Sequence, residues 1–272
     1  MNRLAKILII LGLCLMCAGL LISQGDVRGL ISSVNRDRGN YNVNTFSELP
    51  GTLTINTIND RIKIIPTDND SIQIGYFEDR NLDYELKNEN GNLSLTAKSR
   101  RTFPRVFFSF NIRTPDMTIE IPRDLVLVYD IQTTNGGISI KNLSGDNSHF
   151  STTNGSIELS NIFMDKVVIS TTNGRISMND LTSLNVSAET TNGIIEFNNL
   201  NSNQMTLNST NGSIRGTIIG DINSYWMDLR TTNGKIRLNG EDFGTRKRDT
   251  HLNRNNTINA RLTNGNITID FR

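Results

Sequence analysis

The pairs Asn135-Gly136, Asn154-Gly155, Asn173-Gly174, Asn192-Gly193 and Asn211-Gly212 recur at one interval of 19 residues. Each closes a Thr-Thr-Asn-Gly motif, with Ser209 replacing the first Thr in the last of them. A fixed period of this size predicts a chain that stacks coil upon coil, each coil a copy of the one before. Counting the first Thr as position 1, position 6 is Ile138, Ile157, Ile176, Ile195 and Ile214. Position 8 is Ile140, Leu159, Met178 and Phe197, broken by Gly216, and position 11 is Leu143, Ile162, Leu181, Leu200 and Ile219. Positions 16 and 18 supply Val167 and Ile169, Val186 and Ala188, Met205 and Leu207. Apolar residues two apart, separated by turn residues, predict short strands with alternating faces, each pairing in parallel with its copy in the next coil.

Asn and Gly both tolerate positive φ, so the expected sharp turn falls at Asn-Gly, with the stacked Asn side chains hydrogen-bonded in a ladder. Asn-Gly is also a hairpin signal. An antiparallel meander, however, has no reason to repeat identical side chains at one long period. Asn233-Gly234 and Asn264-Gly265 extend the ladder downstream. Upstream, Leu53, Ile55, Ile62 and Ile64 flank Asn59-Asp60, Tyr84, Leu86, Leu93 and Leu95 flank Asn90-Gly91, and Ile119 and Ile121 follow Asp116. The fold class is therefore all-β: a single-stack parallel β-solenoid of about ten coils, on the order of 45 to 50 Å long at the usual strand spacing. One coil cannot bury enough apolar surface to hold itself, so stability requires several neighbours.

The first 25 residues differ. Arg3 and Lys6 precede an apolar run, and Leu4 to Ile22 is just long enough to span a bilayer as a helix. A signal peptide cleaved near Ser23-Gln24-Gly25 would have the same shape. Both readings leave the basic end in the cytoplasm and the rest outside, either single-pass at the cell membrane or secreted or periplasmic. The domain reading is residues 1–25 membrane anchor or signal segment, 26–49 linker, and 50–272 β-solenoid. Cys14 and Cys17, the only cysteines, lie in the apolar run, so the exported part has no disulfide and no thiolate metal site. A net charge of +1 over 272 residues gives no reason to expect nucleic acid as a partner.

Candidate sites come from the outward positions. Glu158, Arg175, Glu196, Arg215, Lys235 and Arg237 occupy positions 5 and 7, forming a charged stripe with Arg215 and Arg237 expected beside Glu196. The stripe reads either as a solvated face of cross-strand ion pairs or as a groove for an acidic or sugar polymer. Two inserts interrupt the coils. Ser99 to Arg113 alternates Val106, Phe108, Phe110 and Ile112, with Phe107 opposite. This predicts an extra strand or an aromatic and basic patch of Arg105, Phe107, Phe108 and Phe110 that meets lipid or a partner. Gly240 to Asn256 is polar and basic and is expected to cap the strand edge near the C-terminal end. His149 and His251 stand far apart in the repeat and fit no catalytic motif. Asp68 and Asp70 alternate like calcium ligands but lack the Gly and distal Glu of such a loop, so a turn is expected. No catalytic residue, metal site or cofactor is expected.

Thr118 to Pro122 (Thr-Ile-Glu-Ile-Pro), then VYDIQTTNGGISI, then serial TTNG motifs resemble the bacterial putative-adhesin domain family over residues 50 to 272. The resemblance implies a β-solenoid and supplies no catalytic residues. Some members follow a single N-terminal membrane segment, and some accompany envelope-stress systems. The implied function is a non-catalytic binding or adhesion scaffold of the cell envelope, touching the membrane through its N-terminal helix and a cell-wall polymer or envelope protein through its faces. The alternatives are an accessory of an envelope-stress signalling system and a polysaccharide-processing β-helix enzyme.

Overall fold

The computed structural model describes residues 40–78, 82–100, 116–249 and 254–272. The N-terminal segment through residue 25, the linker up to residue 39, the patch at Arg105, Phe107, Phe108 and Phe110, and His251 lie outside these residues. Tyr41–Arg272 forms one compact all-β unit. Its strands are β1 (Tyr41–Phe46), β2 (Thr52–Thr57), β3 (Arg61–Thr67), β4 (Ile72–Phe77), β5 (Leu82–Glu89), β6 (Asn92–Ser99), β7 (Asp116–Pro122), β8 (Val128–Thr133) and β9 (Ile138–Gly145). There follow β10 (Ser148–Thr152), β11 (Ile157–Thr171), β12 (Ile176–Ile218), β13 (Tyr225–Asn233), β14 (Ile236–Leu238), β15 (Glu241–Asp242), β16 (Arg246–Arg248), β17 (Asn256–Asn264) and β18 (Ile267–Phe271). Among the described residues the one helical segment is the 3-10 turn Ile222–Ser224, and no helix is long and apolar enough to cross a membrane. The sheet begins inside the span read as linker, because β1 pairs with β4.

The 19-residue period becomes parallel register. Ile157 pairs with Ile138 on one side and Ile176 on the other, and Val167 and Ile169 pair with Val186 and Ala188. These residues, with Ile195, Ile214, Leu159, Met178, Phe197, Leu181, Leu200, Met205 and Leu207, are buried, so one face of every strand fills the core. Position 11 departs once: Ile219 is 46% exposed while Ile218 is fully buried. The four preceding repeats have an Asn or Asp with positive φ at position 10 (Asn142, Asn161, Asp180 and Asn199), whereas Ile218 at that position has none. Without a left-handed residue the strand keeps its plain alternation, so Ile218 takes the inward place.

The order of the rungs differs from the order of the chain at both ends. β17 pairs with both β12 and β13, and β18 with both β12 and β14, so the last repeat lies between the two that precede it. Likewise β2 lies between β6 and β8, and β3 between β7 and β9. The repeats displaced to the outside carry antiparallel strands: β5 on β6, β4 on β7 and β1 on β4 at one end, β16 on β13 and β15 on β14 at the other. Only an outermost rung has a free edge to receive such strands, and an uncovered edge invites edge-to-edge association. The insert after Gly240 does cap an edge, but that of β13 and β14 and not that of the chain's last strand. The stack is therefore not purely parallel. Asn90-Gly91 is also corrected: Asn90 (φ 54°) and Gly91 (φ 73°) close the β5–β6 hairpin, and Tyr84 and Leu86 pack on the core from an antiparallel strand, not from a coil of their own.

Candidate functional site

The Thr-Thr-Asn-Gly edge is built residue by residue. The asparagine ladder forms as expected and runs Asn59, Asn135, Asn154, Asn173, Asn192, Asn211, Asn264, Asn233, the Nδ2 of each after the first donating to the Oδ1 of the one before at 2.7–2.9 Å. The first Thr turns inward. Thr152 Oγ1 donates to the Gly136 carbonyl (2.8 Å) and accepts from the Gly155 amide (3.2 Å), and Thr171 and Thr190 repeat the first of these bonds at 3.0 and 3.2 Å. A buried hydroxyl so paired costs little. The glycine is required for a reason other than the expected positive φ. Gly136, Gly155, Gly174, Gly193, Gly212 and Gly234 are not in the left-handed region, and neither are their asparagines. A Cβ on Gly174 would instead sit on the Gly155 carbonyl, 2.7 Å from its carbon, and the other five positions are equally closed by backbone. The left-handed turn lies seven residues after the ladder, at Asn142, Asn161, Asp180 and Asn199, with φ between 52° and 55°. The second Thr of each motif (Thr134, Thr153, Thr172, Thr191, Thr210, Thr263 and Thr232) is exposed.

The charged stripe is brought together only in part. Glu196 Oε2 lies 3.5 Å from both Arg175 and Arg215, and Glu158 lies 3.3 Å from Lys141 and accepts from Ser139 at 3.4 Å. Arg237 is not beside Glu196: Thr268 of the intercalated last repeat stands between Arg215 and Arg237. Arg237 instead faces Asp242 in register, and Lys235 pairs with Asp242 at 3.3 Å. Exposed pairs of this kind contribute little to stability. Asp242 is held below the usual carboxylate range by the Gly244 amide first and Lys235 second. His149 contacts Asp130 at 3.1 Å, and Asp68 pairs with Arg123 at 3.1 Å in the connection between β3 and β4. Among the described residues no group of three or more His, Cys, Asp or Glu could hold a metal ion.

Sequence reasoning missed a second polar site. The face beside the Thr row carries Glu189, Asn208, Arg261 and Arg230 on successive rungs, with Asn208 in register with Arg261 and Arg261 with Arg230. Together with Thr210, Thr263 and Thr232 they line an open groove of about 390 Å³. Arg261 is fixed from behind: its guanidinium donates to Asp228 Oδ2 (2.7 Å) and to the Asp228 carbonyl (3.1 Å). That hydrogen bond holds the nearly buried Asp228 carboxyl below its ordinary range against the opposing effect of burial, and the charges of Arg261, Arg248 and Arg230 add to it. Nearby, Asp249 clamps the capping insert to β13, accepting from Lys247 (2.5 Å), Arg254 (3.0 Å) and the Met227 amide (3.1 Å).

Parallel rungs, an inward aliphatic core and outward rows of identical polar groups define an all-β repeat protein whose variable chemistry lies on its outer faces. The chain belongs to the Toastrack DUF4097 family, whose model matches residues 51–225. No curated protein matches it. Among solved structures, a putative adhesin from Parabacteroides distasonis is similar over 86% of this chain and 98% of its own, at 13% identity and a TM-score of 0.46. A putative adhesin from Bacteroides fragilis covers 86% and 97% at 12% identity and 0.44. A protein described as a putative lipid binding protein, also from Parabacteroides distasonis, covers 86% and 97% at 13% identity and 0.40.

Proposed function

We propose that the protein is a non-catalytic binding scaffold of the bacterial cell envelope. Its rungs wind as one β-solenoid, closed by antiparallel strands at each end, and its N-terminal apolar segment holds it to the membrane from the outer side or directs its export. The observation that carries this reading is the arrangement of the outer faces. Polar side chains stand in rows, one per rung, and the groove crosses four rungs, so that an extended ligand would meet several equivalent positions in succession. The stripe at Glu158, Arg175, Glu196 and Arg215 is a second outward surface, its charges engaged with each other. The patch at Arg105, Phe107, Phe108 and Phe110 is assigned to a membrane or protein contact.

The test uses Tyr41–Arg272, the compact unit, in pull-downs against purified cell wall, membranes and detergent-solubilised envelope proteins. Retention on wall polymer is expected. Retention by a membrane protein alone would replace this reading with that of a signalling accessory. Depolymerisation of uronic-acid polymers, abolished by Glu196→Gln or Arg215→Gln, would replace it with the enzyme.

A further inference from the structure

We propose that the groove at Arg230 and Arg261 is a binding site for an acidic glycan, an oxyanion carried on a polyhydroxylated chain. This inference rests on the scaffold reading and names its ligand class. Arg230 and Arg261 are register partners on adjacent strands, which places their side chains about 5 Å apart at the backbone and on one face. Arg261 is pre-organised because two of its donors are already committed to Asp228, and a guanidinium fixed in this way presents its remaining N–H groups in a set direction. Arg230 is exposed and has no carboxylate partner among the described residues. Arg246 and Arg248 of β16 stand in register with Arg230 and Asp228, so one buried carboxylate faces four guanidinium groups. That excess distinguishes the groove from the stripe, where Glu196 already lies between Arg175 and Arg215.

The rest of the lining selects the body of the ligand. The hydroxyls of Thr232, Thr263 and Thr210 stand along the groove at one per rung, with no hydrogen-bond partner among the described residues. Their spacing of about 5 Å suits successive hydroxyls of an extended saccharide. Glu189 lies at the far end of the row, two rungs from Arg261. A carboxylate there accepts from sugar hydroxyls. The volume of about 390 Å³ falls within the range of about 300–1,000 Å³ usual for small-ligand sites.

The experiment is calorimetric titration of the full chain in detergent with tetragalacturonate, with uncharged maltotetraose and sulfate as comparison probes. Tetragalacturonate is expected to bind, maltotetraose and sulfate each far more weakly, since only the acidic glycan offers both the oxyanion and the hydroxyls. Arg230→Gln is the primary variant because Arg230 is exposed and supports no internal contact. It should weaken binding about ten- to a hundredfold, the loss expected for one hydrogen-bonded charge. Thr263→Val should weaken it less, and the stripe variant Glu196→Gln/Arg215→Gln should leave it unchanged. Equal binding of maltotetraose, equal binding of sulfate, or wild-type affinity in Arg230→Gln would each overturn the assignment. Wall retention that survives Arg230→Gln but is lost in the stripe variant would leave the scaffold reading standing and remove the groove from it. Absence of both wall and glycan binding would remove both.

Discussion

Replacing Gly174 by Ala separates two explanations of the motif that predict opposite signs. Gly174 is not in the left-handed region, and on backbone grounds alone Gly→Ala at such a site stabilises by about 0.4–1 kcal/mol through the unfolded chain. The stacking geometry predicts the reverse. The new Cβ would lie 2.7 Å from the Gly155 carbonyl carbon and closer still to its oxygen, where ordinary contacts begin near 3.4 Å. The rungs must part locally, and three hydrogen bonds cross that gap. They are Thr171 Oγ1 to the Gly155 carbonyl (3.0 Å), Asn173 Nδ2 to Asn154 Oδ1 (2.9 Å) and the Asn173 amide to the Thr153 carbonyl (2.8 Å). At about 1 kcal/mol each the loss is about 3 kcal/mol, and more where the Gly155 carbonyl is left buried without a donor. Gly91→Ala is the control: it has φ +73° and nothing within 4 Å of its Cβ, so it should cost only the left-handed penalty of about 1–2 kcal/mol. Urea unfolding of Tyr41–Arg272, followed by circular dichroism, measures both. A Gly174→Ala protein as stable as wild type, or more stable than Gly91→Ala, would refute the close-approach account.

The order of the rungs is open to cross-linking, since the chain's only cysteines are Cys14 and Cys17. Arg215→Cys with Thr268→Cys, and Arg237→Cys with Thr268→Cys, are register pairs and should oxidise to disulfides. Arg215→Cys with Arg237→Cys is two strands apart, about 9–10 Å, beyond disulfide reach; a disulfide in that pair alone would mean the repeats stack in chain order. Glu85 is held to a pKa of about 2 by hydrogen bonds from Lys87 and then Lys98. Its folded pKa lies below the free value of 4.5, so its contribution is present above that value and is lost as pH falls toward about 2. NMR titration of its carboxyl should show that midpoint, and one near 4.5 would show the pairs absent in solution. Replacing residues 240–254 by a short Gly-Ser linker removes β15 and β16 from the edge of β14 and β13 and leaves β17 whole. Size-exclusion chromatography should then show oligomers, and a monomer would count against capping.

Much of the interior was legible because a repeat states its own register. Once Asn135, Asn154 and Asn173 are aligned, Ile138, Ile157 and Ile176 must share a face, and all three are buried. The turn was misplaced for a physical reason: Asn-Gly suits both positive φ and close stacking, and nothing local says which is used. The better clue was the Asn or Asp at 142, 161, 180 and 199, which needs no glycine because a short polar side chain tolerates the left-handed region. Rung order was not legible at all. Eight repeats present the same ladder asparagine and closely similar inward positions, so they are nearly interchangeable at their interfaces. The choice among orders depends on which repeats carry cap strands, and that becomes visible only when those strands pair.

The order of side chains along the candidate groove follows from that choice. Arg230 and Arg261 are separated by a whole repeat with its insert, and in chain order Arg230 would lie next to Asn208. Intercalating the last repeat instead places Arg261 between Asn208 and Arg230; the two guanidinium groups lie on adjacent rungs in either order, with Asp228 accepting from Arg261 on the outer strand, but only this order sets Arg261 beside Asn208. The first Thr, the Asn and the Gly of a motif cannot vary without parting the rungs, since each is committed to the next rung by a hydrogen bond or by contact. Ligand chemistry is therefore left to the exposed second Thr and to the outward residues between motifs. It is densest in the groove, where the rung order sets Arg261 between Asn208 and Arg230.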